Sequence, residues 1–327
     1  MKHINILWTG GWDSTFRLCQ LSRMSNIEVQ PVYFLSVQGY SDRTNWLKEI
    51  KAQNTILPML QQMQATKARI LNPIRLTDKD LPQDPVFDNT FKKWENTGKL
   101  PGQLRFLSKL PMLFPKLEYC IEGPTLKRRQ QGFTIGKTQA FLEEHGFRFH
   151  FWPDGYADMD TSQADPELRI LWGGFTFPIL GITEMDMVPI IRSWGYEDLF
   201  KHTWTCDHNG DEPCGICHNC ETKWAAGLKN FFPPSAIRNH KIKAYLEKLE
   251  KPGSSPFVVD FAEPGITRRF MNYVHHGYHV VDVANVLTLP YALQPIIAKI
   301  QANHNAELQR YFDHLVAEWD AKKGQVG

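Results

Sequence analysis

An apolar run that stops at a pair of glycines and restarts as a helix governs what this chain can fold into. Residues 3–9 (His-Ile-Asn-Ile-Leu-Trp-Thr) have the length of a buried strand, and Gly10-Gly11 break it. Residues 14–24 then carry Phe16, Leu18, Cys19 and Leu21 on one helical stripe. A second apolar run covers 29–37, a helical stretch covers 43–65 with an interruption near Pro58, and a third strand covers 68–74. This alternation predicts an α/β fold, a Rossmann-like parallel sheet with helices on both faces. Residues 117–121 and 147–152 supply further strands. Residues 134–145 begin an ordinary helix. The stretch 76–102 is rich in Pro, Asp, Lys and Asn with weak periodicity, and the region 76–115 is expected to be an insertion or flap. Residues 153–167 are similarly polar and irregular.

The turn between the first strand and the first helix, Thr9-Gly10-Gly11-Trp12-Asp13-Ser14-Thr15, has the composition of a phosphate loop. A helix N-terminus offers unpaired N–H groups and a partial positive charge. Glycines let the backbone approach a phosphate closely. Thr9, Ser14 and Thr15 add hydroxyl groups. Asp13 would repel a bare phosphate, so it fits as a helix cap or as a ligand of magnesium. A plainer reading makes the whole segment a strand–turn–helix corner capped by Asp13 or Ser14. Gly132 to Thr138 nearly spells a second phosphate loop, but its glycines are separated by three residues instead of four. Lys127, Arg128 and Arg129 before it form a basic turn that could reach phosphates or simply face water.

Cys206, Cys214, Cys217 and Cys220 form a second constellation, with two C-x2-C steps sharing Cys217. Such steps turn successive sulfurs toward one point, and four thiolates in a closed tetrahedron suit structural Zn2+. An iron–sulfur cluster takes the same donors. His208 and His218 lie within the segment but are expected on the surface. The other two cysteines, Cys19 and Cys120, are expected in the core. Six cysteines in 327 residues is no disulfide framework.

Composition narrows the classes further. Hydrophobic residues are 42% of the chain and charged residues 22%, enough for a sizeable core and too few charges for global disorder. A net charge of +2 provides no general field for nucleic acid. The start shows no secretory signal and no run is long enough to span a membrane, so a cytoplasmic location is expected. Beyond Cys220 come a charged helix over 236–250, a loop at 251–256 and mostly helical sequence over 264–322. The expected organisation is an α/β domain over 1–200, a zinc-binding segment over 201–232 and a mostly helical extension over 233–327.

The loop resembles the Ser-Gly-Gly-x-Asp-Ser motif of the PP-loop ATP pyrophosphatases, with Thr9 in place of the first serine. The stretch His202-Thr203-Trp204-Thr205-Cys206, followed by Pro213-Cys214-Gly215-Ile216-Cys217-His218-Asn219-Cys220, resembles the zinc segment of the 7-cyano-7-deazaguanine synthase (QueC) family. The resemblance spans roughly residues 3–230, unevenly. It implies an adenine nucleotide alpha-hydrolase-like fold, ATP with Mg2+ at Thr9 to Thr15, Asp13 and Ser14 in catalysis, structural zinc, and ligation of ammonia or an amine to the carboxylate of a small deazapurine acid. Departures are plain. Lys223 stands where that family usually has Arg, and Glu184 where it usually has Lys. Leu100-Pro101-Gly102-Gln103 lacks the family's Arg-Asn pair. Tyr156-Ala157-Asp158 is only a faint analogue of its substrate segment. Two other classes fit the same motifs: an RNA-thiolating PP-loop enzyme, which needs a catalytic cysteine, and a non-catalytic nucleotide-binding module on a zinc scaffold. A homodimer, and a protein partner held through the C-terminal helices, are both compatible with the sequence.

Overall fold

The computed structural model describes residues 1–35, 45–100, 102–124, 135–153, 155–207 and 212–249. Two compact units divide them: Met1–Thr205 with Ala225–Leu228, and Cys206–Trp224 with the residues from Lys229 onward. The basic turn at Lys127, Arg128 and Arg129 and the helices expected over 264–322 lie outside the described residues.

In the first unit, β1 (Lys2–Leu7) leads through the glycine pair into α1 (Trp12–Ser22), then β2 (Ile27–Leu35) and α2 (Trp46–Gln62). β3 (Arg69–Ile70) and β4 (Ile74–Thr77) both pair in parallel with β2. After α3 (Pro85–Glu95) come β5 (Leu117–Glu118) and β8 (Phe175–Thr176), which extend the sheet on the other side of β1. The order is β3-β2-β1-β5-β8 with every pair parallel. This is a parallel Rossmann-like α/β sheet.

β2 shows why both faces must be covered. Residues Val29 to Phe34 are all buried, so neither face meets water. Tyr33 points to one face, where its hydroxyl donates to Glu49 Oε2 of α2 at 2.5 Å. Val32 and Phe34 point to the other, into a core with Leu7, Leu117, Phe175 and Phe177. Phe87 and Phe91 of α3 belong to that same core. Helices therefore flank both sides of the sheet.

Several expectations need revision. Pro58 lies inside α2 without ending it. The stretch read as a flap contains α3, whose Phe87 and Phe91 sit one turn apart and are 2% exposed. Its start is conventional, with the Asp84 carboxylate accepting from the N–H groups of Val86 and Phe87 and Pro85 in the first turn. The strand expected at 147–152 is β6 (Arg148–Phe151), which pairs antiparallel with β7 (Ala157–Asp160) outside the parallel sheet. Arg148, His150 and Phe151 are exposed and Phe149 is half-buried, which suits a surface hairpin and not a buried parallel strand. β7 falls within the segment expected to be irregular, and β8 lies where the sequence predicts no strand.

Candidate functional site

The strand order puts the chain's switch point at β1. From β1 the chain crosses first to β2 on one side and later to β5 on the other. In open parallel sheets the crevice beyond the C-terminal ends of two such strands is where ligands bind. The segments leaving β1, β5 and β8 converge there.

The loop after β1 is fixed from several directions. The Trp8 amide donates to Val32 O at 2.8 Å, and the Gln53 side chain donates to Trp8 O at 2.8 Å. Gly10 has φ +77°, and a Cβ there would lie 3.0 Å from Glu49 O and 3.1 Å from Ala52 Cβ. Only glycine satisfies both conditions. Gly10 O accepts from the Trp204 amide at 3.0 Å. The Gly11 amide donates to Thr9 Oγ1 at 3.2 Å, and Gly11 O begins the helical ladder by accepting from Thr15 N.

The predicted loop residues divide by role. Trp12 is buried, its ring 4.8 Å from that of Phe200 in an edge-on arrangement. Thr15 is fully buried and its Oγ1 accepts from the Trp8 indole at 3.0 Å. Thr15 therefore braces the strand-to-helix corner and does not line the crevice with its hydroxyl. Ser14 is different. It is 7% exposed, and its Oγ is buried without a hydrogen-bond partner. Helical Cα–Cβ bonds tilt toward the N-terminus, so the side chain sets out toward the glycine-pair end of α1.

Asp13 meets two carboxylates that no sequence motif announced as its neighbours. Oxygens of Asp13, Glu122 and Glu184 all lie within 4.8 Å of one another. Glu122 follows β5, and Glu184 opens the helix Glu184–Trp194 that follows β8. Glu122 Oε2 accepts from the backbone amide of Glu184 at 3.1 Å. Thr183 and Asp186 close a capping box at the same helix end. In the sequence, Glu184 differs from its surroundings only as a departure from the resembled family. Glu122 carried no signal, because its placement depends on two strand crossovers.

Beneath the crevice, Arg17 forms a two-pronged ion pair with Glu118, Nε to Oε2 at 2.9 Å and Nη2 to Oε1 at 2.7 Å. Both side chains are under 10% exposed. Losing one partner of such a buried pair costs about 3–5 kcal/mol. The Arg17 guanidinium also lies 5.6 Å from the centre of the Tyr156 ring. Partial burial, then the charges of Glu118 and Asp158, raise the Tyr156 hydroxyl above the usual phenol range. Burial followed by Glu118 pushes the partly buried Cys120 thiol well up, against the opposing pull of Arg17. Cys19 is fully buried on α1, and burial raises its thiol too.

The second unit holds Cys206, Cys214, Cys217 and Cys220, all buried, with their sulfurs within 4.8 Å of one another. Cys217 Sγ and Cys206 Sγ are 3.9 Å apart. That excludes a disulfide, and it matches the ~3.8 Å separation that four sulfurs take around an ion at Zn–S distances of about 2.3 Å. Backbone amides point at the sulfurs: Cys214 N at Cys206 Sγ, Cys217 N at Cys214 Sγ, and Cys220 N at Cys217 Sγ, at 3.2–3.5 Å. Such N–H groups favour thiolates. The cluster could hold a metal ion. The helix Pro234–Leu249 braces it: Asn239 Nδ2 donates to Cys214 O at 3.0 Å, and Lys243 pairs with Glu221.

No protein-family model matches the chain, and no curated protein matches it in sequence. Among the described residues, no helix is long and apolar enough to cross a membrane.

Proposed function

We propose that this chain is an ATP-dependent ligase whose loop Thr9 to Thr15 binds the triphosphate and whose four cysteines carry structural zinc. One observation carries the reading. A glycine-paired turn lies at the switch point of a parallel sheet, with the Ser14 hydroxyl in the first turn after it buried and unpartnered. Buried polar atoms in folded proteins are mostly hydrogen-bonded, and a bound phosphate would give that hydroxyl a partner.

The chemistry follows the resemblance to the 7-cyano-7-deazaguanine synthases. A carboxylate oxygen of a deazapurine acid attacks the α-phosphorus of ATP and pyrophosphate leaves. Ammonia or an amine then attacks the acyl carbon, AMP leaves with the carboxylate oxygen, and an amide forms. Where ammonia is the donor, the oxygen of the primary amide attacks a second ATP and pyrophosphate leaves; AMP then departs with that oxygen, and loss of both nitrogen protons gives the nitrile. The residues of this chain contribute by holding groups in line and opposing charge. Amides at the start of α1 and the Ser14 hydroxyl suit phosphate oxygens. Asp13 suits magnesium, which when bound neutralises charge on the departing pyrophosphate. The Arg17–Glu118 pair fixes the floor. The four sulfurs fit zinc in a closed set, a role in folding and not in the reaction.

The thiolating alternative finds no support at its cysteines. Cys19 is enclosed in the core, and Cys120 has its thiol raised by burial and by Glu118. Titration calorimetry with ATP and magnesium tests the loop. Binding to the full chain, lost on Asp13→Ala, is expected. Release of pyrophosphate on adding 7-carboxy-7-deazaguanine tests the acid. A folded, zinc-loaded chain that binds no ATP would sink the proposal.

A further inference from the structure

Three neighbouring strands each send one carboxylate to the same place. Asp13 comes from the first turn of α1 after β1, Glu122 from the segment after β5, and Glu184 from the first position of the helix after β8. Their oxygens lie within 4.8 Å of one another, close enough to share one small ion. Glu184 is 3% exposed, so water does little to screen it. Its backbone is held by Glu122 Oε2 and by the Thr183–Asp186 capping box, which fixes where the carboxylate starts.

Acidic clusters alone are common on proteins. Here a separate observation points to a ligand. Ser14, next to Asp13, has its Oγ buried and without a partner. As in any α-helix, its Cα–Cβ bond tilts toward the N-terminal end of α1, the end at which Asp13 meets the two glutamates. Three carboxylates and a hydroxyl make an all-oxygen donor set. That set suits a hard divalent cation and not a soft one. Charge points the same way. Three carboxylates this close repel one another, and an incoming triphosphate would be repelled too unless a cation stood between them.

We propose that Asp13, Glu122 and Glu184 hold one hard divalent cation of the Mg2+ or Mn2+ class, with Ser14 beside it, before any nucleotide arrives. The consequence that the cation then receives the triphosphate rests on the nucleotide-binding reading above. The site itself does not.

The test uses the full zinc-loaded chain and Mn2+ alone, with free Mn2+ followed by electron paramagnetic resonance. One Mn2+ per chain should bind without nucleotide and be displaced by Mg2+. Glu184→Gln and Glu122→Gln should each weaken that binding at least tenfold while the circular dichroism stays unchanged, and Glu184→Lys should abolish it. Glu122 is partly exposed, so its variant reads the site even where a change at buried Glu184 disturbs folding. Absence of stoichiometric Mn2+ from the folded wild-type chain would overturn the proposal, as would undiminished binding in both glutamine variants. ATP binding is measured in a separate titration. Mn2+ bound without any ATP binding upholds this site and removes the nucleotide reading. ATP bound with no Mn2+ taken up in its absence does the reverse.

Discussion

Ser14 and Cys19 lie on the same helix and are buried for opposite reasons. Leaving the Ser14 hydroxyl unpartnered costs about 1–3 kcal/mol of desolvation. Removing it should therefore leave folding untouched or improve it. Ser14→Ala is expected to hold or raise the urea midpoint while weakening ATP about tenfold, or ~1.4 kcal/mol. A residue that merely caps the helix would lose stability and leave affinity alone, so the two measurements together decide its role. Cys19 has no comparable function. Its thiol is fully enclosed, and burial holds it protonated above the ordinary range. The sign of the pH effect follows. The unfolded thiol ionises above about pH 8.5 while the folded one keeps its proton. Stability from this group is whole below that pH and declines as pH rises toward the raised folded value. The urea midpoint should fall between pH 7.5 and 9.5. Cys19→Ala should start lower, because it opens a cavity, but decline less steeply.

Among the elements, those with a conventional period were legible and those whose meaning is set by distant partners were not. β1, α1 and β2 announce themselves through apolar runs separated by Gly10-Gly11, and the structure shifts their ends by only a residue or two. The four cysteines are close in sequence, so local spacing predicted their convergence. Glu122 and Glu184 meet Asp13 only because β5 pairs in parallel with β1 and β8 with β5, which no local pattern states. β8 pairs over just two residues, too few to carry a period. α3 is a different kind of miss. Asp84-Pro85 marks its start and Phe87 and Phe91 its inner face, but the surrounding polar residues masked that signal. The helix Pro234–Leu249 exposes a further element-level dependence. Gly215 has φ +77°, and a Cβ there would fall 2.1 Å from Ala236 O and 2.7 Å from Ala236 C. These are backbone atoms, so the helix itself would have to move. Gly215→Ala combines left-handed strain with overpacking, on the order of 2–3 kcal/mol. Asn239 would then leave Cys214 O, and His240 would leave Gly215 O. The expected result is a purified chain with reduced zinc content, read by atomic absorption, and less helix by circular dichroism.

At the scale of the whole molecule, the two units are held by different physics. The first has a parallel sheet buried on both faces and an aromatic-rich core running from Leu7 to Phe177. The second has four buried sulfurs, the helix Pro234–Leu249 and a stack of His240 on Trp224 at 3.9 Å. Small segments built around a closed thiolate set owe their folding to the ion, because the sulfurs repel as thiolates without it. The sheet has no such dependence. Removing metal with a thiol-competent chelator should therefore divide the molecule. Amides of Cys214, Cys217 and Cys220 should exchange hydrogen rapidly, while those of β1 and β2 keep their protection. The Trp204 amide is the informative boundary. It donates to Gly10 O within the first unit, yet Cys206 follows it by two residues. If that bond outlasts chelation, the turn from Thr9 to Thr15 stays shaped, and ATP affinity should drop by less than the stability does. If Trp204 loses protection together with the cysteines, the metal also maintains the loop, and ATP binding should vanish at the same chelator concentration. Loss of protection throughout β1 and β2 would show instead that the two units fold only together, and would refute their independence.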